Sequence, residues 1–269
     1  MEQLRKKILS SQKIVVVIQS DFKLPTTAIQ LLEEAGEQLS LESWKHSPAV
    51  LWTALGIVSQ QRQSPSAVHW LAFWLQEEKR LHRVFSLDWG DLERAAGVEK
   101  QRIVKVLGNL DRATCDHCGA FSSKRQYRTA IEKKRAPLAC PDPICRKQLM
   151  RPNVVLDGVR FTKDYVVSLN TELQDVELLL LCLQNPDTER AILERIAQQV
   201  PRHCYVAALC PARIELPGVK IAWLSGSPAE LAQQLLDRPE PLPPEPLRVT
   251  QPLLDPAKHQ SSLCQCVLL

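Results

Sequence analysis

A polar, amphipathic opening gives way at residues 13–18 to an unbroken run, Lys-Ile-Val-Val-Val-Ile. A stretch with no polar face predicts a strand covered on both sides, as in a parallel sheet. The period then changes. Ala28, Leu31, Leu32 and Ala35, followed by apolar positions through 50–58 and 66–75, recur every three to four residues and predict helices. Strand-like runs return at 83–87 (Arg-Val-Phe-Ser-Leu) and 102–107 (Arg-Ile-Val-Lys-Val-Leu), separated by a loop and a short helix that Gly97 ends. Further on, residues 176–183, with five leucines, read as a buried strand. Residues 188–199 read as a helix, 204–209 and 219–224 as strands, and 228–236 as a closing helix that Ser227 is placed to cap.

One stretch has no such period. It reads Cys115-Asp-His-Cys118, then twenty-one residues, then Cys140-Pro-Asp-Pro-Ile-Cys145. Two short-spaced pairs about twenty residues apart can close tetrahedrally around one zinc ion, each turn presenting two thiolates and a hairpin bringing the turns together. Cys115, Cys118, Cys140 and Cys145 are therefore the expected ligands of one structural Zn2+, against the competing readings of four unrelated thiols or two disulfides. His117 lies inside the first turn, but four cysteines already fill a tetrahedral shell. Cys182, Cys204 and Cys210 sit in or beside apolar runs and read as buried reduced thiols, a usage that suits a reducing compartment. Neither a leader-like segment nor a run of eighteen apolar residues occurs, so a cytoplasmic protein is expected.

Strands alternating with helices predict an α/β fold: a Rossmann-like parallel sheet with helices on both faces, plus a small zinc-ribbon module and a helical module. The expected body covers residues 1–238, with Rossmann-like portions at about 1–26, 83–114 and 156–238. The helical module falls at about 27–82 and the zinc module at 115–155. Trp44, Trp52, Trp70 and Trp74 are expected to pack the helical layer, and His69 to be a satisfied core histidine. At 269 residues, 45% hydrophobic, the chain is long enough to bury a sizeable core. Its net charge of +4 is uneven, because residues 115–150 carry eight Lys or Arg against three Asp or Glu. Such an insert could meet nucleic acid or an acidic protein surface, but a solvated hairpin is the favoured reading, because no aromatics interleave for base stacking, Tyr127 being the exception singled out.

In a doubly wound sheet the loop after the first strand cradles a dinucleotide pyrophosphate and needs glycine for close approach. Here it reads Gln19-Ser20-Asp21-Phe22-Lys23-Leu24-Pro25, without glycine and with a carboxylate at Asp21.

From about residue 13 to 236 the order of pieces resembles the sirtuins, the NAD-dependent protein deacylases. The strongest portion runs from Arg112-Ala113-Thr114-Cys115 through the cysteine pairs to Arg151-Pro152-Asn153-Val154-Val155, which is similar to the family's zinc module and the Arg-Pro-Asp-Val-Val after it. Pro65-Ser66-Ala67-Val68-His69 looks like the family's Pro-x-x-x-His helix start, and Gly226-Ser-Pro-Ala-Glu230-Leu231 like its last helix.

The departures from that pattern are local. The family's Gly-Ala-Gly-Ile-Ser phosphate loop matches Gln19-Ser20-Asp21-Phe22-Lys23, and its Thr-Gln-Asn-Ile-Asp motif matches Ser86-Leu87-Asp88-Trp89-Gly90. The His-Gly pair that carries the family's general base becomes Leu107-Gly108, and leucine takes no proton. The Gly-Thr-Ser after the long apolar strand becomes Gln184-Asn185-Pro186, the adenosine-side Asn falls at about Cys210, and Phe-Gly-Glu becomes Asp157-Gly158-Val159. The resemblance thus implies a sirtuin fold in which no residue is assigned to catalysis or to cofactor binding, and NAD is not expected to bind.

Residues 239–269 form a Pro-rich tail ending Leu263-Cys264-Gln265-Cys266-Val267-Leu268-Leu269. The end resembles the Cys-aliphatic-aliphatic-Leu prenylation box of small Ras-related GTPases, with Cys266 the expected prenylated residue and Cys264 a palmitoylation site. Three functional readings follow. The first is a non-catalytic binding or scaffold protein with a protein partner, tethered to the cytosolic face of a membrane. The second is an active deacylase in which Asp21, Asp88 or His82 replaces the base. The third is a nucleic-acid or chromatin module working through the basic insert.

Overall fold

The computed structural model describes residues 1–19, 24–61, 63–145 and 149–237. Ser20, Asp21, Phe22 and Lys23 lie outside these, as does the second unit, Arg238–Leu269, with Cys264 and Cys266. In chain order the strands are β1 (Ile14–Gln19), β2 (Leu81–Ser86), β3 (Ile103–Lys105), β4 (Gly108–Cys115), β5 (Met150–Val154), β6 (Leu178–Leu183), β7 (Tyr205–Cys210) and β8 (Ile221–Ser225). The helices are α1 (Glu2–Ser10), α2 (Thr26–Glu34), α3 (Leu41–His46), α4 (Pro48–Ser59), α5 (Ala67–Glu77), α6 (Leu92–Ala95), α7 (Lys124–Glu132), α8 (Lys163–Thr171), α9 (Arg190–Gln199) and α10 (Pro228–Leu236).

Six strands form one parallel sheet in the order β3-β2-β1-β6-β7-β8. Successive side chains point to opposite faces, and here both faces are covered, which is why the run through Val15, Val16 and Val17 has no polar position. On one face Val15, Val17, Leu179 and Leu181 meet Tyr165 of α8 and Ile192 and Ile196 of α9. On the other, Ile14, Val16, Leu178 and Leu180 meet Leu4 and Ile8 of α1, Leu71 and Leu75 of α5, and Leu231 and Leu235 of α10. The expected parallel sheet with helices on both faces is the architecture found.

A third core joins the helices α2, α3 and α4 to the cysteine module. It contains Trp44, Trp52, Leu55, Ala113, Tyr127, Met150 and Leu156. The Trp52 indole N–H donates to the Met150 carbonyl at 2.8 Å, and its ring lies 5.1 Å from that of Tyr127.

Several local expectations change. Helix α5, grouped by period with residues 27–82, packs on the sheet, because a helical stripe fixes which face is buried but not what covers it. Strand β4 starts inside the portion assigned to 83–114, yet pairs antiparallel with β5 in a separate two-stranded sheet. The segment between the cysteine pairs contains α7 rather than a plain hairpin. Ser123 and Gln126 close its first turn reciprocally, at 3.1 and 2.8 Å, a capping box written in the sequence. Ser227 stands at the N-cap of α10, but its side chain makes no cap bond.

Candidate functional site

The four cysteines meet. Cys115 ends β4, and its sulfur lies 3.7 Å from that of Cys145, while Cys118 and Cys140 are 3.5 Å apart. All four sulfurs lie within 4.8 Å of one another. A Zn–S distance of ~2.3 Å gives tetrahedral S···S edges of roughly 3.8 Å, so the quartet fits a zinc ion. The separations are far beyond the ~2.05 Å of a disulfide, which disposes of that competing reading.

Local backbone builds each turn. The Gly119 N–H donates to the Cys115 carbonyl and the Cys115 N–H to the Ala120 carbonyl, both at 2.9 Å. In the second turn the Ile144 N–H donates to Asp142 Oδ1 at 2.8 Å, and the Cys145 N–H to the Asp142 carbonyl at 3.0 Å. Burial raises the Cys115 thiol, but the amides of Cys118 and His117 together with the Cys145 and Cys118 thiols outweigh it and bring it to about 7. Burial pushes Cys145 up to about 12, so a cation entering the quartet must displace protons. Arg151 forks onto Asp116 in the first turn, at 2.9 and 3.1 Å, and donates to the Val154 carbonyl at 2.8 Å. That explains the Arg-Pro-Asn segment as a brace for the metal module.

The one aromatic singled out for base stacking in the basic insert is not available for it. Tyr127 is 2% exposed and belongs to the core. The exposed aromatic is Phe121, at 57%, with the Arg112 guanidinium 5.9 Å from its ring. The sequence reading passed over Phe121.

The strand order reverses between β1 and β6, and the crevice at their carboxyl ends is where a doubly wound sheet takes a ligand. Here Gln19, the last residue of β1, accepts the Asn185 N–H on its Oε1 at 2.9 Å and bridges the two strand ends. A concavity of about 270 Å³ remains, lined by Gln19, Gln63, Ser66, His69, Gln184 and Pro228 among others. Asp21 lies outside the described residues. His82 is the second residue of β2, at the amino end of the sheet, because Leu81 pairs with Ile14 at the start of β1. It is at the wrong edge to replace a base in this crevice.

Leu107 packs against the sheet core, and its carbonyl accepts the Val155 N–H at 2.8 Å. Trp89 packs against the core of the metal module. Gly108 has φ +77°, and a Cβ there would stand 2.2 Å from the Asn153 carbonyl oxygen. Only glycine fits.

Ser86, Asp88 and Glu93 are buried at the carboxyl edge. Lys105 donates to Ser86 Oγ at 3.0 Å, to Glu93 Oε2 at 2.6 Å and to the Gly90 carbonyl. Burial opposes ionisation of Glu93, yet the Lys105 ammonium holds its pKa below the ordinary value. Burial holds the His69 pKa below the ordinary imidazole value, and the Ser66 N–H donates to its Nδ1 at 3.0 Å. A second concavity, about 500 Å³, is lined by Ser40, Leu41, Lys45, His46, Asp157 and Gly158. Asp157 already pairs with a neighbouring segment there: its N–H donates to the Leu39 carbonyl at 3.1 Å and its carbonyl accepts the Leu41 N–H at 2.8 Å. Among the described residues no helix is long and apolar enough to cross a membrane.

A family model described as the Sir2 family matches residues 26–183. The chain is 22% identical over 183 residues to the NAD-dependent histone deacetylase SIR2 of Candida albicans, covering 64% of this chain and 34% of that protein. It is 26% identical over 117 residues to the NAD-dependent deacetylase sir2D of Dictyostelium discoideum, covering 44% and 21%. It is 22% identical over 139 residues to the NAD-dependent protein deacetylase sirtuin-3 of Mus musculus, covering 51% and 40%. In these three comparisons the chain spans less than half the relative's length.

Proposed function

Because the chain belongs to the Sir2 family, we propose that it keeps the family scaffold and its metal staple as a non-catalytic module that binds a protein partner. The observation that carries this reading is Leu107. It occupies the position that the resemblance gives to the general base, is packed against the sheet core, and has no group able to accept a proton. Two features support it. The Gln19 to Asn185 hydrogen bond spans the strand ends where a pyrophosphate would approach backbone amides. Asp157, which the resemblance aligns with the substrate strand, has its backbone N–H and carbonyl engaged by Leu39 and Leu41, the groups through which an added peptide strand would pair.

The test is calorimetric titration with NAD together with a deacylation assay on acetyl-lysine peptides, using the wild type and Leu107→His. Neither protein is expected to give a binding isotherm or turnover. Micromolar binding of NAD, or any turnover by the wild type, overturns the proposal and favours a rearranged active site around Asp88.

A further inference from the structure

Residues 124–135, between the two cysteine turns, carry six Lys or Arg against one Glu. All six are exposed, and α7 turns Tyr127 and Ala130 inward, so Arg125, Arg128 and Lys133 share the opposite side of the helix. Among the described residues Arg125, Arg128, Lys133, Lys134 and Arg135 form no ion pair, and Lys124 reaches one carboxylate, Asp91, at 3.6 Å. The helix itself accounts for only part of this. Lys133, Lys134 and Arg135 stand at and beyond the C-cap of α7, where the helix dipole favours cations. Lys124 and Arg125 stand in its first turn, where the dipole disfavours them, and no acidic residue shares that turn.

An apolar anchor adjoins the same end. Phe121 lies two residues before the Ser123 cap and is 57% exposed, with the Arg112 guanidinium 5.9 Å from its ring. It faces Thr114 across an antiparallel bridge. Two hydrogen bonds flank that pair, from the Cys115 N–H to the Ala120 carbonyl at 2.9 Å and from the Ser122 N–H to the Ala113 carbonyl at 2.8 Å. The backbone N–H and carbonyl of Phe121 itself therefore point away from β4, along an open edge.

We propose that the outer side of the metal module, formed by Arg112, Phe121, Lys124, Arg125 and Arg128, is a docking surface for an acidic, extended segment of a partner protein. The proposal rests on the reading of the chain as a module that binds a protein, and it names the chemistry of that partner. Carboxylates of the segment meet the guanidinium forks and offset the charge of the first turn, an apolar side chain covers Phe121, and the segment's backbone pairs with the open edge. Nucleic acid fits this surface less well. Arg112 lies over the Phe121 ring, Tyr127 is buried, and residues 115–145 offer no second exposed aromatic on which successive bases could stack.

The experiment is fluorescence polarisation with the zinc-loaded full chain and a labelled peptide in which glutamates alternate with serines around two central leucines. Micromolar binding is expected at low salt, weakening as salt screens it. Arg125→Glu with Arg128→Glu should lower affinity on the order of tenfold or more, and Phe121→Ser severalfold without changing the salt dependence. Lys100→Glu with Arg202→Glu, at exposed positions outside the module, makes the same change of net charge and should keep affinity within about twofold. Zinc content and circular dichroism identify the folded variants. Three results overturn the proposal: no binding by the wild type, equal affinities or equal losses in the two charge-reversed pairs, or tighter binding of an oligothymidine strand than of the peptide. Binding or turnover of NAD overturns the parent reading and leaves these affinities as they are, so the two failures are told apart.

Discussion

In the sheet, Val15, Val16, Val17, Leu179 and Leu180 are completely buried between helices. In the metal module two short strands are held by four sulfurs, the Arg151 fork on Asp116 and a core shared with α2, α3 and α4. The sheet is stabilised by many small apolar contributions, none of which is indispensable. A zinc ion in the quartet would make the module depend on one multivalent link that is either present or gone. The two regions should therefore fail differently: the sheet by degrees, the module at once.

The largest effect should come from Cys115→Ser. Structural zinc contributes about 10–16 kcal/mol in small modules, so the variant should lose its ion and its β4–β5 pairing. Metal analysis with limited proteolysis reads this; fragments starting near α7 are expected while the sheet core resists. Loss of the sheet in the same step would break the comparison. Next is Lys105→Met, which strands the Glu93 carboxylate inside the protein. Losing one partner of a buried pair costs about 3–5 kcal/mol by denaturant unfolding, and Lys105→Met with Glu93→Leu should recover most of it.

Leu180→Ala, at the centre of the sheet, should cost about 2–5 kcal/mol without changing metal content. Gly108→Ala should cost about 1–3 kcal/mol, through an unfavourable backbone conformation and contact with Asn153. The smallest effect is the pH response of the half-buried Arg83–Glu172 pair, with Nη2 and Oε1 2.8 Å apart. The hydrogen bond from Arg83 lowers the Glu172 pKa. Its stabilisation is complete above the ordinary carboxylate range near ~4.3 and is lost as pH falls through the lowered value. Arg83→Gln should flatten that part of the acid limb by about 1 kcal/mol or less.

The features legible in the sequence were those encoded by neighbours in the chain. Unbroken apolar runs announced β1, β6 and β7, and cysteine spacing announced the quartet. Helix α7 was also written locally, in Ser123 and Gln126, but a basic segment between two metal turns invited the simpler reading of a hairpin. Other features were not local. The partner of α5 depends on which surface the chain returns to. The cluster of His69, Asp88 and Glu93 depends on a loop and two helices arriving at one sheet edge, with Lys105 reaching it from β3. No spacing rule joins residues brought together only by a parallel crossover.

Gly108 bears on how the neighbouring pair should be interpreted. The carbonyl of Asn153 occupies the space that any side chain would need, so glycine there is demanded by the turn alone, with or without chemistry next door. Position 107 carries no such demand. A lineage could therefore trade away an imidazole there while the glycine beside it stayed put, and the surviving glycine is no testimony to a surviving reaction.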